Sequence, residues 1–238
     1  MRVIEDRCGE GAVASESRPS NQGQSELGQR RPIKAREFAL SRAIAHWLAA
    51  RGVGPNTISI VGLCSALLAG AILGLTDGRS VWSWLLAALC VELRLLCNMF
   101  DGMVAVERGI ASKLGEIYNE VPDRIADIGV LVGLGYAAGS TPWLGYTAAL
   151  AAVFTAYIRA FGVSLGAPAD FSGLMAKQFR MHTVALAALA CAGALLAGID
   201  YRAVFASLGL PTIALIVIAV GATGTSLRRL SHLVAHLR

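Results

Sequence analysis

Long apolar runs alternate with short polar turns along most of this chain. Residues 58–75 contain no charged side chain. No charge occurs between Asp127 and Arg159, a stretch longer than the ~20 residues that one membrane span needs, and a Gly-Ser-Thr-Pro turn divides it in two. The pattern predicts six membrane-spanning helices: one each near 58–75, 81–100, 182–199 and 205–227, and two within 128–158.

The chain ahead of the first apolar run divides into two parts. Residues 1–31 are polar, which is typical of a disordered cytoplasmic tail. Residues 32–54 mix basic side chains with an apolar stripe and end in a glycine-containing turn, a pattern that predicts an amphipathic interfacial helix. We therefore predict an all-α polytopic membrane protein with an N-terminal amphipathic juxtamembrane helix, a membrane domain at 55–230 and a basic cytoplasmic tail at 231–238.

Composition and charge support this class and suggest an orientation. The chain is 55% hydrophobic and 16% charged with a mean hydropathy of +0.58, whereas soluble domains carry about 25% charged residues. The five cysteines lack metal-binding spacing and are interpreted as packing residues. With six spans, only Arg79 and Arg202 lie in loops on the side opposite both termini, which predicts cytoplasmic termini in the inner membrane and a cytoplasmic face for residues 101–127.

Polar side chains recur at helical spacing around the turn between the second and third spans. One helix face carries Arg94, Asn98 and Asp101, and the next helix carries Asn119, Asp123 and Asp127. Oxygen ligands of this kind suit Mg²⁺, Mn²⁺ or Ca²⁺. Gly102, Ala105 and Gly115 leave room for a phosphate-bearing ligand near the backbone. The alternative reading of the spacing is a wet crevice in which these residues only pair with Arg94, Arg108 and Arg124.

The same segment resembles the signature of the CDP-alcohol phosphotransferase family, Asp-x2-Asp-Gly-x2-Ala-Arg-x8-Gly-x3-Asp-x3-Asp. The matching positions are Asp101, Gly102, Ala105, Gly115 and Asp123. Asn98 and Asn119 stand where the family has its first and third aspartates, and Val106 stands where it has arginine. The predicted six-span plan agrees with the family, so the resemblance covers about residues 32–230.

The resemblance implies an integral membrane transferase of phospholipid biosynthesis. Such an enzyme moves a phosphatidyl group from a CDP-linked lipid to an alcohol and releases CMP. Asp123 is then the general base, and the candidate metal ligands are Asn98, Asp101, Asn119, Asp123 and Asp127. The residues expected at the nucleotide are Gly102, Ala105, Gly115 and Arg94. Because Asp101 and Asp123 are the remaining signature carboxylates, we expect one Mg²⁺ or Mn²⁺ site and leave a second open.

Basic residues on later helices are candidates for phosphate binding. Arg159, Lys177 and Arg180 are predicted to hold the acceptor or lipid phosphate; snorkelling and the positive-inside rule are the alternative explanation. The expected partners are a CDP-diacylglycerol-like lipid, an alcohol acceptor and the bilayer, without nucleic acid, and a homodimer is left open. The alternative function is a non-catalytic homologue that holds a nucleotide or lipid headgroup for a partner enzyme.

Overall fold

The structure, a computed structural model, covers most of the chain. It describes residues 38–110, 113–205 and 207–238, in full except for the side chains of Lys113, Leu114 and Glu116. The predicted tail at 1–31 and the start of the predicted amphipathic segment, 32–37, therefore lie outside the described residues.

Seven helices occur within the described ranges. They are α1 (Ala39–Ala50), α2 (Pro55–Leu75), α3 (Val81–Glu107), α4 (Lys113–Tyr136), α5 (Pro142–Ser164), α6 (Lys177–Leu196) and α7 (Leu210–Leu237). Five of them, α2, α3, α5, α6 and α7, are long and apolar enough to cross a membrane. The predicted all-α polytopic fold is confirmed. The six-span count stays a prediction, because α4 has 24 residues but carries most of the polar segment.

The six long helices close into a ring. α2 packs against α3 and α4, α4 against α5, α5 against α7, α7 against α6, and α6 against α3. The core inside the ring includes Val91, Leu131, Val184 and Ile218, all fully buried. Many leucine and aromatic side chains on the outer surface are exposed, as expected for helices that face lipid.

Glycines bring α2 and α4 into backbone contact. A Cβ atom added to Gly70 would overlap the carbonyl oxygen of Gly129, and one added to Gly133 would overlap the carbonyl oxygen of Gly70. On the other side of α4, a Cβ on Gly135 would lie 2.8 Å from the Cα of Gly145 on α5. Small residues at such crossings are how helices approach closely in a membrane. These contacts hold α4 between its neighbours and so determine where its polar half lies.

Two predicted helices begin or end elsewhere in the structure. α3 continues to Glu107 instead of ending near residue 100, because its polar side chains face neighbouring helices while Val104 stays fully buried. His46 of α1 binds the Glu107 carboxylate at 3.0 Å, so α1 lies against the end of α3. α6 begins at Lys177 rather than near residue 182, since the residues before His182 pack into the bundle.

The last helix is shifted towards the C-terminus. It begins at Leu210 rather than residue 205, with Pro211 in its first turn, where the missing N–H costs no helical hydrogen bond. It then continues to Leu237, past the predicted end at residue 227, and residues 231–237 belong to it. The buried side chain of Leu233 explains this extension, because it continues the apolar face of α7.

Candidate functional site

Asp123 is the centre of the cluster of polar side chains at one end of the ring, hereafter the polar end. Its side chain is buried, with a relative exposure of 6%. Oδ1 accepts hydrogen bonds from Arg94 Nη2 and, at 3.3 Å, from Asn98 Nδ2, and Oδ2 accepts one from Lys177 Nζ. The three helices α3, α4 and α6 therefore meet at this carboxylate. Arg94 lies one turn before Asn98, as the spacing predicted.

The remaining signature positions gather around the same point. Asn98 also donates to Oδ1 of Asn119 at 3.1 Å. Asp101 is buried and accepts a hydrogen bond from Ser59 Oγ at 2.8 Å. The structure thus brings Asn98, Asp101, Asn119 and Asp123 together, as predicted. Sequence reasoning missed Ser59, whose one signal is a hydroxyl near the start of an otherwise apolar run in α2.

Asp127 and Arg180 form a separate pair. Arg180 donates from Nη2 to Asp127 Oδ2 at 2.7 Å and from Nη1 to the carbonyl of Met175 at 2.8 Å. Both side chains are almost fully buried, and Asp127 Oδ1 has no hydrogen-bond partner within the described part of the chain. Asp127 was predicted as a metal ligand and Arg180 as a phosphate ligand. In the structure they bind each other, and Arg124 adds a second cation 3.7 Å from Asp127.

Arg159 pairs with a residue that the sequence analysis did not assign. Its Nη2 donates to Glu120 Oε1 at 2.6 Å, and its guanidinium lies 5.2 Å from the centre of the Phe171 ring. Glu120 also lies 3.6 Å from Arg124. Arg159 is therefore held at the edge of the polar end by Glu120 and Phe171. The positions of Arg159 and Arg124 together keep the edge of the cluster positively charged.

A cleft of about 380 Å³ opens between α1 and the end of α3. Gly102, Val106 and Glu107 line it from α3, and His46 lines it from α1. Gly102 thus lies at an opening, as expected for a residue that approaches a nucleotide. Val106, at the position where the family signature has arginine, forms part of the same wall.

Two carboxylates and two amide groups are the possible metal donors at this point of the polar end. Asp101 and Asp123 supply carboxylates, and Asn98 and Asn119 supply neutral oxygens, which suit Mg²⁺ or Mn²⁺. Within the described ranges, no group of three or more Asp, Glu, His and Cys side chains is arranged to hold a metal. Both oxygens of Asp123 already accept hydrogen bonds from cationic side chains.

Side chains of α7 hold the segment that leads into α6 through hydrogen bonds. Arg229 is buried and donates from Nε to the carbonyl of Ser172 at 3.0 Å. The N–H of Met175 donates to Thr225 Oγ1 at 3.1 Å. These contacts lie within five residues of Lys177, so α7 helps to position the backbone from which the Lys177 side chain extends.

Comparison with known proteins agrees with this geometry. The family model for CDP-alcohol phosphatidyltransferase matches residues 53–226. The phosphatidylinositol phosphate synthase of Streptomyces avermitilis is 30% identical over 78% of this chain and 74% of its own length. Inner membrane protein YnbA of Escherichia coli is 27% identical over 67% of this chain and 79% of its own length.

Two solved structures of the Mycobacterium tuberculosis phosphatidylinositol phosphate synthase share the fold. The one with CDP-DAG bound has a TM-score of 0.63 at 20% identity and covers 82% of this chain and 94% of its own. The one in complex with manganese and citrate has a TM-score of 0.64 at 22% identity and covers 81% and 88%. With the family model matching well over half of its length, the chain belongs to the CDP-alcohol phosphatidyltransferase family, which confirms the family and the enzyme class predicted from the signature.

Proposed function

We propose that this protein transfers a phosphatidyl group from CDP-diacylglycerol to an alcohol that itself carries a phosphate. The observation that carries the proposal is the buried Asp123 carboxylate, at the last signature position, in contact with cations from α3 and α6. A phosphate-bearing substrate requires such cations, and an alcohol acceptor requires a nearby base.

The CDP-linked lipid is proposed to bind with its nucleotide against small residues at the polar end. Gly102 lines the cleft beside α1, and Ala105 and Gly115 lie partly buried at the facing ends of α3 and α4. Side chains of this size leave the backbone accessible to a large ligand. Arg94, one turn before Asn98, supplies the positive charge that the signature arginine supplies in the family, since this chain has Val106 at the arginine position.

One Mg²⁺ or Mn²⁺ ion is proposed at Asp101 and Asp123, with Asn98 and Asn119 as neutral oxygen donors. When bound, such an ion supplies positive charge to the diphosphate of the substrate. Asp127 is not needed for this site, since its Oδ2 is bound to Arg180.

Asp123 is proposed as the general base. It accepts the proton of the acceptor hydroxyl, the resulting alkoxide oxygen forms a bond to the β-phosphorus, and the bond from that phosphorus to CMP breaks. Oδ2 of Asp123 is bound to Lys177 before the substrates arrive. A phosphate on the acceptor can draw the lysine away, and this exchange couples the binding of the acceptor to the release of the base.

Arg159 and Lys177 are the residues that we propose for the acceptor phosphate. Arg159 is partly exposed at the edge of the polar end, with an exposed fraction of 20%. Arg180 is less suited to this task, because both terminal nitrogens of its guanidinium are already engaged. Three relatives from different bacteria are named phosphatidylinositol phosphate synthases, which favours inositol phosphate as the first acceptor to try. From the positive charge of the loops we also propose that the active site lies at the cytoplasmic face of the inner membrane.

The test is an acceptor panel with the purified full-length chain in detergent. CDP-diacylglycerol is supplied with inositol phosphate, glycerol phosphate, serine or inositol, and released CMP is measured. We expect release with a phosphate-bearing acceptor and little with serine or inositol. Radiolabelled CDP-diacylglycerol that is bound but not consumed with any acceptor would instead identify a non-catalytic binding protein.

A further inference from the structure

The polar end of this protein carries more positive than negative charge. The carboxylates in contact there are Asp101, Asp123 and Asp127, and the cations that reach them are Arg94, Lys177, Arg124 and Arg180. With the Glu120–Arg159 pair included, four negative groups of this cluster face five positive groups. Any divalent cation that enters must overcome repulsion from side chains that are largely out of contact with water.

Lys177 differs from Arg94 and Arg180 in position and exposure. Arg94 and Arg180 are buried to the same degree as the carboxylates that they bind. Lys177 is the first residue of α6 and keeps 16% of its side chain exposed. Its ammonium group binds Asp123 and also lies within electrostatic range of Asp101 and Asp127. A compact charge on a flexible stem can therefore serve several carboxylates in turn.

We propose that Lys177 is a tethered cation that takes the part of a second divalent metal ion. This inference rests on the proposed function, since it assumes a site for a diphosphate-containing substrate. Asn98 and Asn119 are neutral amides, so the site lacks the negative charge that a second metal ion needs. Lys177 supplies a single positive charge to the Asp123 carboxylate instead. The lysine and a metal ion therefore compete for Asp123.

The competition predicts that loss of the lysine charge tightens metal binding. Lys177→Met removes the ammonium group while keeping an unbranched side chain. Asn98→Asp adds a carboxylate next to Asp123 and leaves Lys177 in place, so it tests the same charge balance without touching the lysine. Each change is expected to tighten Mn²⁺ binding by at least about tenfold, because one unit charge changes within contact distance of the ion.

The experiment titrates Mn²⁺ into the purified full-length chain, without substrate, and follows free Mn²⁺ by electron paramagnetic resonance. Wild-type protein is expected to take up no more than one weakly held ion per chain. Lys177→Arg keeps the charge and should match wild type. Arg159→Gln is the control for loss of a positive charge elsewhere at the polar end. Arg159 binds Glu120, and Glu120 still has Arg124 as a cationic partner at 3.6 Å in this variant, so Mn²⁺ binding should also match wild type.

Equal Mn²⁺ affinity in Lys177→Met and wild type would overturn the proposal, as would two tight ions in wild type. The binding assay does not depend on turnover, so the two proposals can fail separately. A wild-type chain that releases no CMP in the acceptor panel, with the tightening in Lys177→Met still present, would reject the proposed function and leave the competition in place.

Discussion

The two halves of α4 are held in opposite ways. Its second half lies against α2 and α5 through glycine backbones, with Gly70 and Gly133 in direct contact. Its first half carries Asp123 and Asp127, each held by long cationic side chains from other helices. Backbone contacts leave no freedom of adjustment, whereas lysine and arginine side chains can exchange partners. The comparison indicates that the apolar half determines position and the polar half retains the freedom that substrate binding requires.

The largest effect is expected at the adjustable half, from Asp123→Asn. Loss of the base should reduce CMP release by about a thousandfold, since general base catalysis contributes roughly 10² to 10⁴. Release is measured with the best acceptor of the panel, and gel filtration checks that the variant remains folded. Asp77→Asn, at the opposite end of the ring, is the matched control and should keep wild-type turnover. Undiminished release in Asp123→Asn would remove this residue from the role of base.

The glycine-packed half should respond in stability rather than in chemistry. Gly70→Ala places a methyl group against the carbonyl of Gly129, and backbone cannot move aside as a side chain does. We expect a loss of about 3 kcal/mol in the free energy of unfolding, at the upper end of the usual range for overpacking. Gly193→Ala is the control, because no atom outside its own helix lies within 4 Å of the added Cβ. A thermal unfolding midpoint in Gly70→Ala equal to that of Gly193→Ala would contradict the backbone contact.

The Asp127–Arg180 pair lies in the polar half of α4, and its effect on stability tests whether it behaves like the adjustable contacts of that half or like the fixed glycine contacts. Arg180→Met leaves Asp127 without its 2.7 Å partner, and Arg124, at 3.7 Å, remains as the cation in ion-pair contact. We expect a loss of about 2 kcal/mol, somewhat below the usual cost of breaking a buried pair. The double variant Asp127→Asn, Arg180→Met should recover part of that loss, as measured by thermal unfolding. Equal destabilisation by the single and the double variant would mean that the charge of Asp127 does not depend on Arg180.

The smallest effect is expected outside the membrane-spanning helices, at Asp170. Burial raises the pKa of this carboxyl, but hydrogen bonds from Ser172 and from His232, at 3.0 Å, outweigh burial and hold the pKa below its usual value. A lowered pKa means that the ionised form stabilises the fold above about pH 4, near the unfolded pKa, and that this stability is lost as pH falls through the folded pKa. Asp170→Asn should therefore unfold at a lower temperature than wild type at pH 7, and the difference should shrink at pH 3. A difference that is the same at both pH values would contradict the role of the charge.

Much of the polar end could be predicted from the sequence because helical spacing places residues on faces. The intervals from Arg94 to Asp101 and from Asn119 to Asp123 predicted which side chains share a helix face, and Arg94 and Asn98 contact Asp123 from the facing helix. Spacing within one helix cannot show which cation reaches a carboxylate from another helix. Lys177 was therefore assigned to phosphate rather than to Asp123.

Helix ends and isolated polar residues were harder to predict for related reasons. The apolar run predicted that α3 ends near residue 100, but buried polar side chains extend it to Glu107. Glu92 showed no partner in the sequence, because its partner, His182 at 2.9 Å, is ninety residues away on α6. In both cases the missing information is the position of a neighbouring helix, which the local pattern does not give.

The fastening of the α6 entry segment by Arg229 and Thr225 has a consequence for biosynthesis. Lys177 is synthesised long before these two residues, yet its helix begins where they hold the chain. Helices that insert one after another from the ribosome can form the glycine contacts of α2 and α4 early. We therefore expect the cluster around Asp123 to be completed only after the seventh helix has been translated, once the nascent chain has already taken its position in the membrane.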